Sequence, residues 1–229
     1  MNKAILYYTC NTHDPAIEQA CRDQLDKARG DIPVMCVSRE YTDYGDEQVV
    51  VEGEPGPLTM HKQILAGLVW IECDVVFFAE NDVLYHPSHF DFEPMIPYVF
   101  YYNTNVWRVR YEDGFSVWTD DLQQTGGLCA NANLLYEFYR QRIRTIERDG
   151  FDRHFEPGPK VGDYLTENWR SEYPNLDIRH SGTYTRSKWR PEDFRNKRYA
   201  RGWRETIGEL PGWGTGAEIV NRIKDYATI

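Results

Sequence analysis

The sequence predicts an α/β fold: a mostly parallel central sheet flanked by helices, with a small antiparallel element. Three observations carry this. The chain opens with a strand, an amphipathic helix and a second strand. The run Val75-Val76-Phe77-Phe78-Ala79 is short, β-branched and aromatic without polar alternation, as a strand buried on both faces must be. From about residue 98 the pattern changes to short strands separated by turn residues.

The elements follow in order. Ala4 to Tyr8 reads as a strand. Asp14-Pro15 supplies an N-cap and a first helical residue, after which Ile17, Ala20, Cys21, Leu25 and Ala28 recur at helical spacing and Gly30 provides a stop. Pro33 to Ser38 is the second strand, and repetition of this unit predicts parallel pairing with right-handed crossovers. Gln48 to Val51 is another short strand, Glu52 to Pro57 a loop, and Thr59 to about Ile71 a helix leading into the buried strand. Open sheets of this kind take ligands where strands end, here Thr9 to Thr12, Ser38-Arg39 and Glu80 to Asp82. Tyr98 to Asn103, Val106 to Arg110 and Phe115 to Thr119 suggest hairpins, with a turn at Glu112-Asp113-Gly114. Helices are predicted from about Asn131 to Asp149 and from about Gly162 to Tyr173. Leu176 to Arg179 is a last strand, and the tail from Trp189 is basic, aromatic and glycine-rich. The 229 residues are enough for one large domain.

The formal net charge of −10 argues against a protein that coats nucleic acid, yet the charge is unevenly spread. Between Arg179 and Arg204 nine basic residues (Arg179, Arg186, Lys188, Arg190, Arg195, Lys197, Arg198, Arg201, Arg204) face only Glu192 and Asp193, leaving +7 here and −17 elsewhere. Such a segment is either a solvated surface or a site for phosphates. Five cysteines without a C-x-x-C pair suit reduced packing thiols better than disulfides or zinc. No stretch approaches the roughly 20 apolar residues of a membrane span, and the start lacks the apolar region of a signal peptide. A cytoplasmic protein, off the membrane, is expected.

Glu80 and Asp82 fall where the buried strand leaves the sheet. Two carboxylates around such a turn offer the oxygen ligands that Mg²⁺ or Mn²⁺ needs, with substrate phosphates completing the shell. The same residues also fit a local cap and an Asx turn. His180 follows a late strand, with Thr183 and Thr185 beside it and Arg179 and Arg186 flanking it. A neutral imidazole there can complete the shell of Mn²⁺, and the hydroxyls and guanidinium groups can hold phosphate oxygens. A lone histidine of this kind can equally be a structural residue.

The order of β-α-β start, buried strand ending in an acid pair, the stretch TGGLCANANLL, a later acidic loop and a late histidine resembles the GT-A glycosyltransferases, which use nucleotide-sugar donors. The resemblance implies a Rossmann-like GT-A fold. Glu80-Asn81-Asp82 stands in for that family's Asp-x-Asp motif, so Asp82 and His180 are the implied metal ligands, and Glu80, which departs from the pattern, acts through water or touches the donor sugar. Residues 1–103 then form the donor half, 104–190 the acceptor and catalytic half, and 191–229 a basic tail. Thr9, Asn11 and Arg39 are expected near the donor base and ribose, with Lys62, Asn81 and Arg186 toward the phosphates. Gly126 and Gly127, before a helix, are expected on the acceptor side, although two glycines there also suit an ordinary tight turn. An inverting transferase needs a carboxylate to deprotonate the acceptor. Asp163, at the start of the predicted second helix, is the first choice, though it also suits an N-cap, and Glu156 is the second. Trp107 and Trp118 could stack on a sugar or base, or belong to the core.

The function expected is therefore metal-dependent transfer of a sugar from a nucleotide-diphosphate donor to a hydroxyl. The acceptor is a hydroxymethylated base in DNA, as in the base-glycosylating enzymes of bacterial viruses, or a small metabolite or glycan. The alternatives are a nucleotidyltransferase and a non-catalytic module that binds sugar or nucleic acid. The stretch TCNTHDP counts against nucleotidyl transfer, because it lacks the glycines that cradle a triphosphate. Oligomeric state is not legible.

Overall fold

Alternation along the first strand sets the layers of the molecule, whose computed structural model describes residues 1–120, 122–196 and 200–228. In β1 (Lys3–Thr9), Ile5 and Tyr7 belong to the apolar cluster on one face and Leu6 and Tyr8 to that on the other, all four buried. A strand apolar on both faces requires cover on both. One cover is α1 (Pro15–Ala28), whose Leu25 and Ala28 pack with Ile5, Tyr7 and Phe77. The other is α2 (Pro57–Trp70) with α3 (Ala132–Asp149), whose Ile64, Leu68, Leu135 and Phe138 join Leu6, Val76 and Phe78. Each such side chain removed from water contributes about 1.5–3 kcal/mol. Helix starts obey local chemistry: Asp14 accepts the Ala16 N–H at 2.9 Å, with Pro15 next to it, and Asn131 accepts that of Asn133 at 3.1 Å.

The central sheet also contains β2 (Val34–Ser38), β3 (Glu47–Val50) and β4 (Val75–Glu80), and later β6 (Val99–Asn103), β9 (Leu128–Asn131) and β10 (Leu165–Trp169). Its order is β10-β6-β9-β4-β1-β2-β3. β1 to β4 are parallel, β9 is antiparallel to both neighbours, and β10 runs parallel to β6. β1 pairs with β2 on one side and β4 on the other, so the winding reverses there and a crevice opens beyond the strand ends.

A second sheet is built from β5 (Val83–Leu84), β7 (Val106–Arg110), β8 (Ser116–Trp118), β11 (Asn175–Arg179) and β12 (Arg204–Thr206), in the order β12-β8-β7-β11-β5. Three of its four pairings are antiparallel. It shares a core with the remaining stripe of α1, Ile17 and Cys21, and with Ile219, Val220 and Ile223 of α4 (Gly216–Asp225). A short hairpin of β13 (Glu209–Leu210) and β14 (Gly214–Thr215) precedes α4. The α/β class with a mostly parallel sheet and a smaller, largely antiparallel element is thus the observed one.

Two expectations need correction. The segment predicted as a helix from Gly162 to Tyr173 contains β10 instead. Its residues are too exposed to form a helical apolar face, and the free edge of β6 takes them in register, Thr166 opposite Phe100 and Trp169 opposite Asn103. Residues 98–103 belong to the central sheet, so only β7 and β8 make the hairpin. Trp107 and Trp118 face each other across that hairpin in the core, and the Arg170 and Arg204 guanidinium groups cover Trp118. All five cysteines are unpaired, and Cys21, Cys36 and Cys129 are buried as expected. Among the described residues no helix is long and apolar enough to cross a membrane.

Candidate active site

The strand ends around the crevice are clasped by short polar side chains. Asn81, just past β4, donates to the Thr9 hydroxyl at 2.8 Å, and the same oxygen accepts the Asn11 N–H at 3.1 Å. Asn11 holds a left-handed backbone (φ 57°), which asparagine tolerates better than most residues. Its side-chain Oδ1 accepts the backbone N–H groups of Arg39 and Glu40 at 2.8 and 3.1 Å. The ends of β1, β2 and β4 are thereby locked together, and the loop after β1 presents His13 beside the β4 end.

A second device brings in the late part of the chain. Directly after Asp82, β5 pairs antiparallel with β11, Val83 opposite Asp177 and Leu84 opposite Leu176. The Ile178 N–H donates to the Asp82 carbonyl at 2.8 Å. Arg179 and His180 therefore emerge next to Asp82.

The result is a cluster of three. One ligand-type atom from each of His13, Asp82 and His180 lies within 4.8 Å of the others. The two imidazoles meet edge to face with centroids 4.8 Å apart, and His13 Nδ1 and His180 Nε2 are shielded from water without a hydrogen-bond partner. His180 Nδ1 accepts the Gly182 N–H at 3.2 Å. Two imidazoles and a carboxylate suit a divalent transition ion. Ligand atoms about one ion stand roughly 3–4 Å apart given bonds near 2.1 Å, so small side-chain rotations would close the shell. The residues fit such an ion, with His13 an unforeseen member.

Charge in the site is crowded. Burial, then the neighbouring Asp177, push the Asp82 carboxyl up to about 6, against the pull of His13 and Arg179. Burial and the positive neighbours His13 and Arg179 push His180 down to about 4. Burial acts against protonation of His13 too, but Cys10 and Asp82 outweigh it and raise that group. The Cys10 thiol is likewise opposed by burial, yet the neighbouring His13 and the hydrogen bond with Thr12 bring it down to about 7. Cys10 lines the cleft, so it is not the inert packing thiol expected.

Glu80 stands apart from the cluster. Its Oε1 accepts the Tyr8 hydroxyl at 2.7 Å, and its Oε2 lies only 2.6 Å from where a Cβ on Gly126 would sit. Burial, and then Asp82, push its carboxyl up to about 8. Gly126 and Gly127 form a buried 3-10 turn that leads into β9, not into a helix, and their missing side chains allow that turn to press on Glu80 and Asn103. It is Gln124 and Thr125 that line the cleft instead.

The cleft encloses about 270 Å³, room for more than an ion. Asp82, Asp177 and Arg179 line it together with Thr183, Tyr184 and Thr185 of the loop after β11; Arg39, Gln63 and the start of α2 line it as well. Both arginines are fixed. Arg39 donates to the carbonyls of Gly53 (2.6 Å) and Cys10 (3.1 Å), while Arg179 donates to Ser187 Oγ (3.1 Å) and to the Thr185 carbonyl and hydroxyl, and faces Asp177 at 3.5 Å. Glu156 lines the cleft, and burial raises its carboxyl. The other expected residues lie elsewhere. Thr9 is buried as a brace; Lys62 points outward and pairs with Glu147 at 2.8 Å; Arg186 is exposed outside the lining residues. Asp163 is exposed in a turn, outside the lining, because the helix it was to begin does not form.

His13 and Asp177 were missed by sequence reasoning. His13 did carry a signal, since it follows a strand end as His180 does. In the basic segment Arg179 lines the cleft, Arg186, Arg190, Arg195 and Arg201 are exposed, and Lys188 and Arg204 lie over the rings of Phe194 and Trp118. Lys197 and Arg198 fall outside the described residues.

No protein-family model and no curated protein matches the sequence. Solved structures of similar architecture include the inositol-1-phosphate CTP transferase from T. maritima, at 13% identity and TM-score 0.46, covering 98% of this chain and 97% of that one. The bifunctional IspDF from Campylobacter jejuni matches at 10% identity and TM-score 0.43, over 76% of this chain and 50% of that one. The glycosyltransferase GlyE in Streptococcus pneumoniae matches at 9% identity and TM-score 0.43, over 73% and 45%. This chain thus spans about half the length of the last two. At such identities and scores the likeness concerns the course of the chain alone.

Proposed function

We propose that the protein is a metal-dependent glycosyltransferase that moves a sugar from a nucleotide-diphosphate donor to a hydroxyl group. The observation that supports this most is the meeting of Asp82 with His180, which lies behind the cleft wall, at a cleft lined by Asp82, Arg39, Arg179 and a buried acid, Glu156. Asp82 and His180 hold a divalent ion, Mn²⁺ or Mg²⁺, which when bound supplies Lewis-acid stabilisation of the departing diphosphate. Arg39 and Arg179, already fixed by their hydrogen bonds, place positive charge along the cleft without reorganising. Glu156 takes the proton of the acceptor hydroxyl. Its raised affinity for protons makes its ionised form the stronger base. With Asp163 outside the lining of the cleft, Glu156 is the acid we assign to that role.

Two rival readings are weaker. Nucleotidyl transfer would need a backbone cradle for a triphosphate after β1, where the chain has Cys10, Asn11, Thr12 and His13 with no glycine. A non-catalytic binding module gives no role to Glu156, a cleft-lining acid whose proton affinity burial raises. The acceptor is proposed as a polyanion, DNA carrying hydroxymethylated bases, because exposed Arg186, Arg190, Arg195 and Arg201 follow the cleft in the chain. The absence of DNA binding at low salt would remove that acceptor and leave a small metabolite or glycan.

The test is a hydrolysis and transfer screen across nucleotide sugars with Mn²⁺. Donor turnover is expected to need the ion and to fall at least about 100-fold in Asp82→Asn. In Glu156→Gln, transfer should be lost while donor binding persists. If no nucleotide sugar is turned over or bound in a metal-dependent way, the reading fails.

A further inference from the structure

We propose that His13 is a third protein ligand of the metal site, so that two imidazoles and one carboxylate hold the ion and the site selects transition-row cations, Co²⁺ and Zn²⁺ above Mn²⁺ and all three over Mg²⁺ and Ca²⁺. This rests on the site of the transferase reading but not on the reaction. Three observations carry it. His13 Nδ1 and His180 Nε2 are both shielded and unpartnered, and each residue offers an atom within 4.8 Å of Asp82. A buried imidazole nitrogen left without a partner is a desolvation cost that a ligated ion removes.

The oxygen ligands that would favour Mg²⁺ are engaged elsewhere. Glu80 is held by Tyr8 and stacked against the Gly126 turn. Asp177 accepts the Gln124 amide at 2.8 Å and faces Arg179. Within the 4.8 Å cluster, among the described residues, what remains is one carboxylate and two nitrogens. Mg²⁺ demands a near-octahedral oxygen shell, whereas imidazole suits the later divalent ions.

The third observation is that the positions are built. His13 sits one residue before the helix cap Asp14, on the loop that Asn11 fastens to the end of β2, and His180 directly follows β11, the strand that pairs with β5 next to Asp82. The ligands come from three loops that the fold already holds together, so the shell needs no large movement. Coordination through His180 Nε2 moves the ring proton to Nδ1, and the Gly182 N–H must then release its bond there.

The test uses the intact chain and metal salts alone. Equilibrium dialysis should show Mn²⁺ bound at least about 10-fold more tightly than Mg²⁺. His13→Gln should weaken Mn²⁺ about 10- to 100-fold and narrow the Mn²⁺/Mg²⁺ ratio, while Glu80→Gln leaves Mn²⁺ affinity within about twofold. Pulsed electron paramagnetic resonance of the Mn²⁺ complex should report two coordinated nitrogens in the unaltered protein, and the Gly182 amide should shift. Equal affinity for Mn²⁺ and Mg²⁺, or a single nitrogen, overturns the proposal. The nitrogen count needs no variant, so it decides even if His13→Gln fails to fold. Metal binding as described without turnover of any nucleotide sugar would sink the transferase reading alone, and turnover supported equally by Mg²⁺ would sink this one alone.

Discussion

Among the described residues four imidazoles keep a shielded ring nitrogen without a partner, and they divide between two regions of the molecule. His61 and His89 lie in the packed layers. His61 Nδ1 meets the Pro57 carbonyl at 2.6 Å, between the rings of Tyr139 and Phe151. His89 Nδ1 accepts amide protons from Asn103 (3.0 Å) and Asn175 (3.1 Å) among Phe77, Tyr85, Phe90 and Trp169. His13 and His180 lie at the cleft, beside Asp82. An unpartnered nitrogen is therefore common to both settings, and what separates them is the carboxylate. In the core, burial keeps the ring neutral, His61 down to about 4 and His89 to about 3. At the cleft His180 is kept neutral by burial as well, down to about 4, and it is the Asp82 carboxylate within reach that makes a ligand set.

The sharpest way to break this contrast is to remove the carboxylate. Asp82→Asn should lower Mn²⁺ affinity by at least about 100-fold in dialysis, since a neutral amide is a poor ligand. Unchanged affinity would put the ion elsewhere. Next in size, His89→Ala should cost about 2–4 kcal/mol in urea unfolding, through a cavity and two amides left without their acceptor, and leave Mn²⁺ affinity of the folded protein intact. A loss of metal binding there would erase the distinction between the two regions.

A pH titration of stability comes third. The folded-state values of His61 and His89 lie below the unfolded value near 6.5, so their contribution is complete above about pH 6.5 and is lost as pH falls toward 4 and 3. Glu80 runs the other way: its folded value is raised to about 8, so its contribution is complete below about pH 4.5 and is lost as pH rises through 8. Metal-free melting temperatures should fall on both sides, and Glu80→Gln should flatten the alkaline side only. Smallest of all, Lys62→Ala should change stability by no more than about 0.5 kcal/mol, because its ion pair with Glu147 is about half exposed, and should leave turnover unaltered.

What could be read from sequence follows the same physical line. The first half is written in local signals: the Asp14-Pro15 cap, the stripe from Ile17 to Ala28, and the greasy run ending at Glu80 each act within a few residues. Asp82 was legible because it closes such a run. His180 was legible as a strand-end residue, but its meeting with Asp82 depends on two-residue β5, too short to announce itself. Asp163 misled because its helix was inferred from a sparse pattern, and the edge of β6 decided the matter from about 65 residues away along the chain. Lys62 misled because helical spacing does not say which face meets the cleft; it is Gln63 that does. Glu80 and Asp82 looked equivalent, and only packing against Tyr8 and Gly126 separates them.

The most direct test of the central claim is an anomalous-scattering map from crystals grown with Mn²⁺ and uridine diphosphate. A single manganese peak bonded to Asp82, His13 and His180, with the diphosphate against it, is the result expected. A map at full Mn²⁺ occupancy in solution with no peak there, or with the peak on Glu80 and both imidazoles turned aside, would contradict the account.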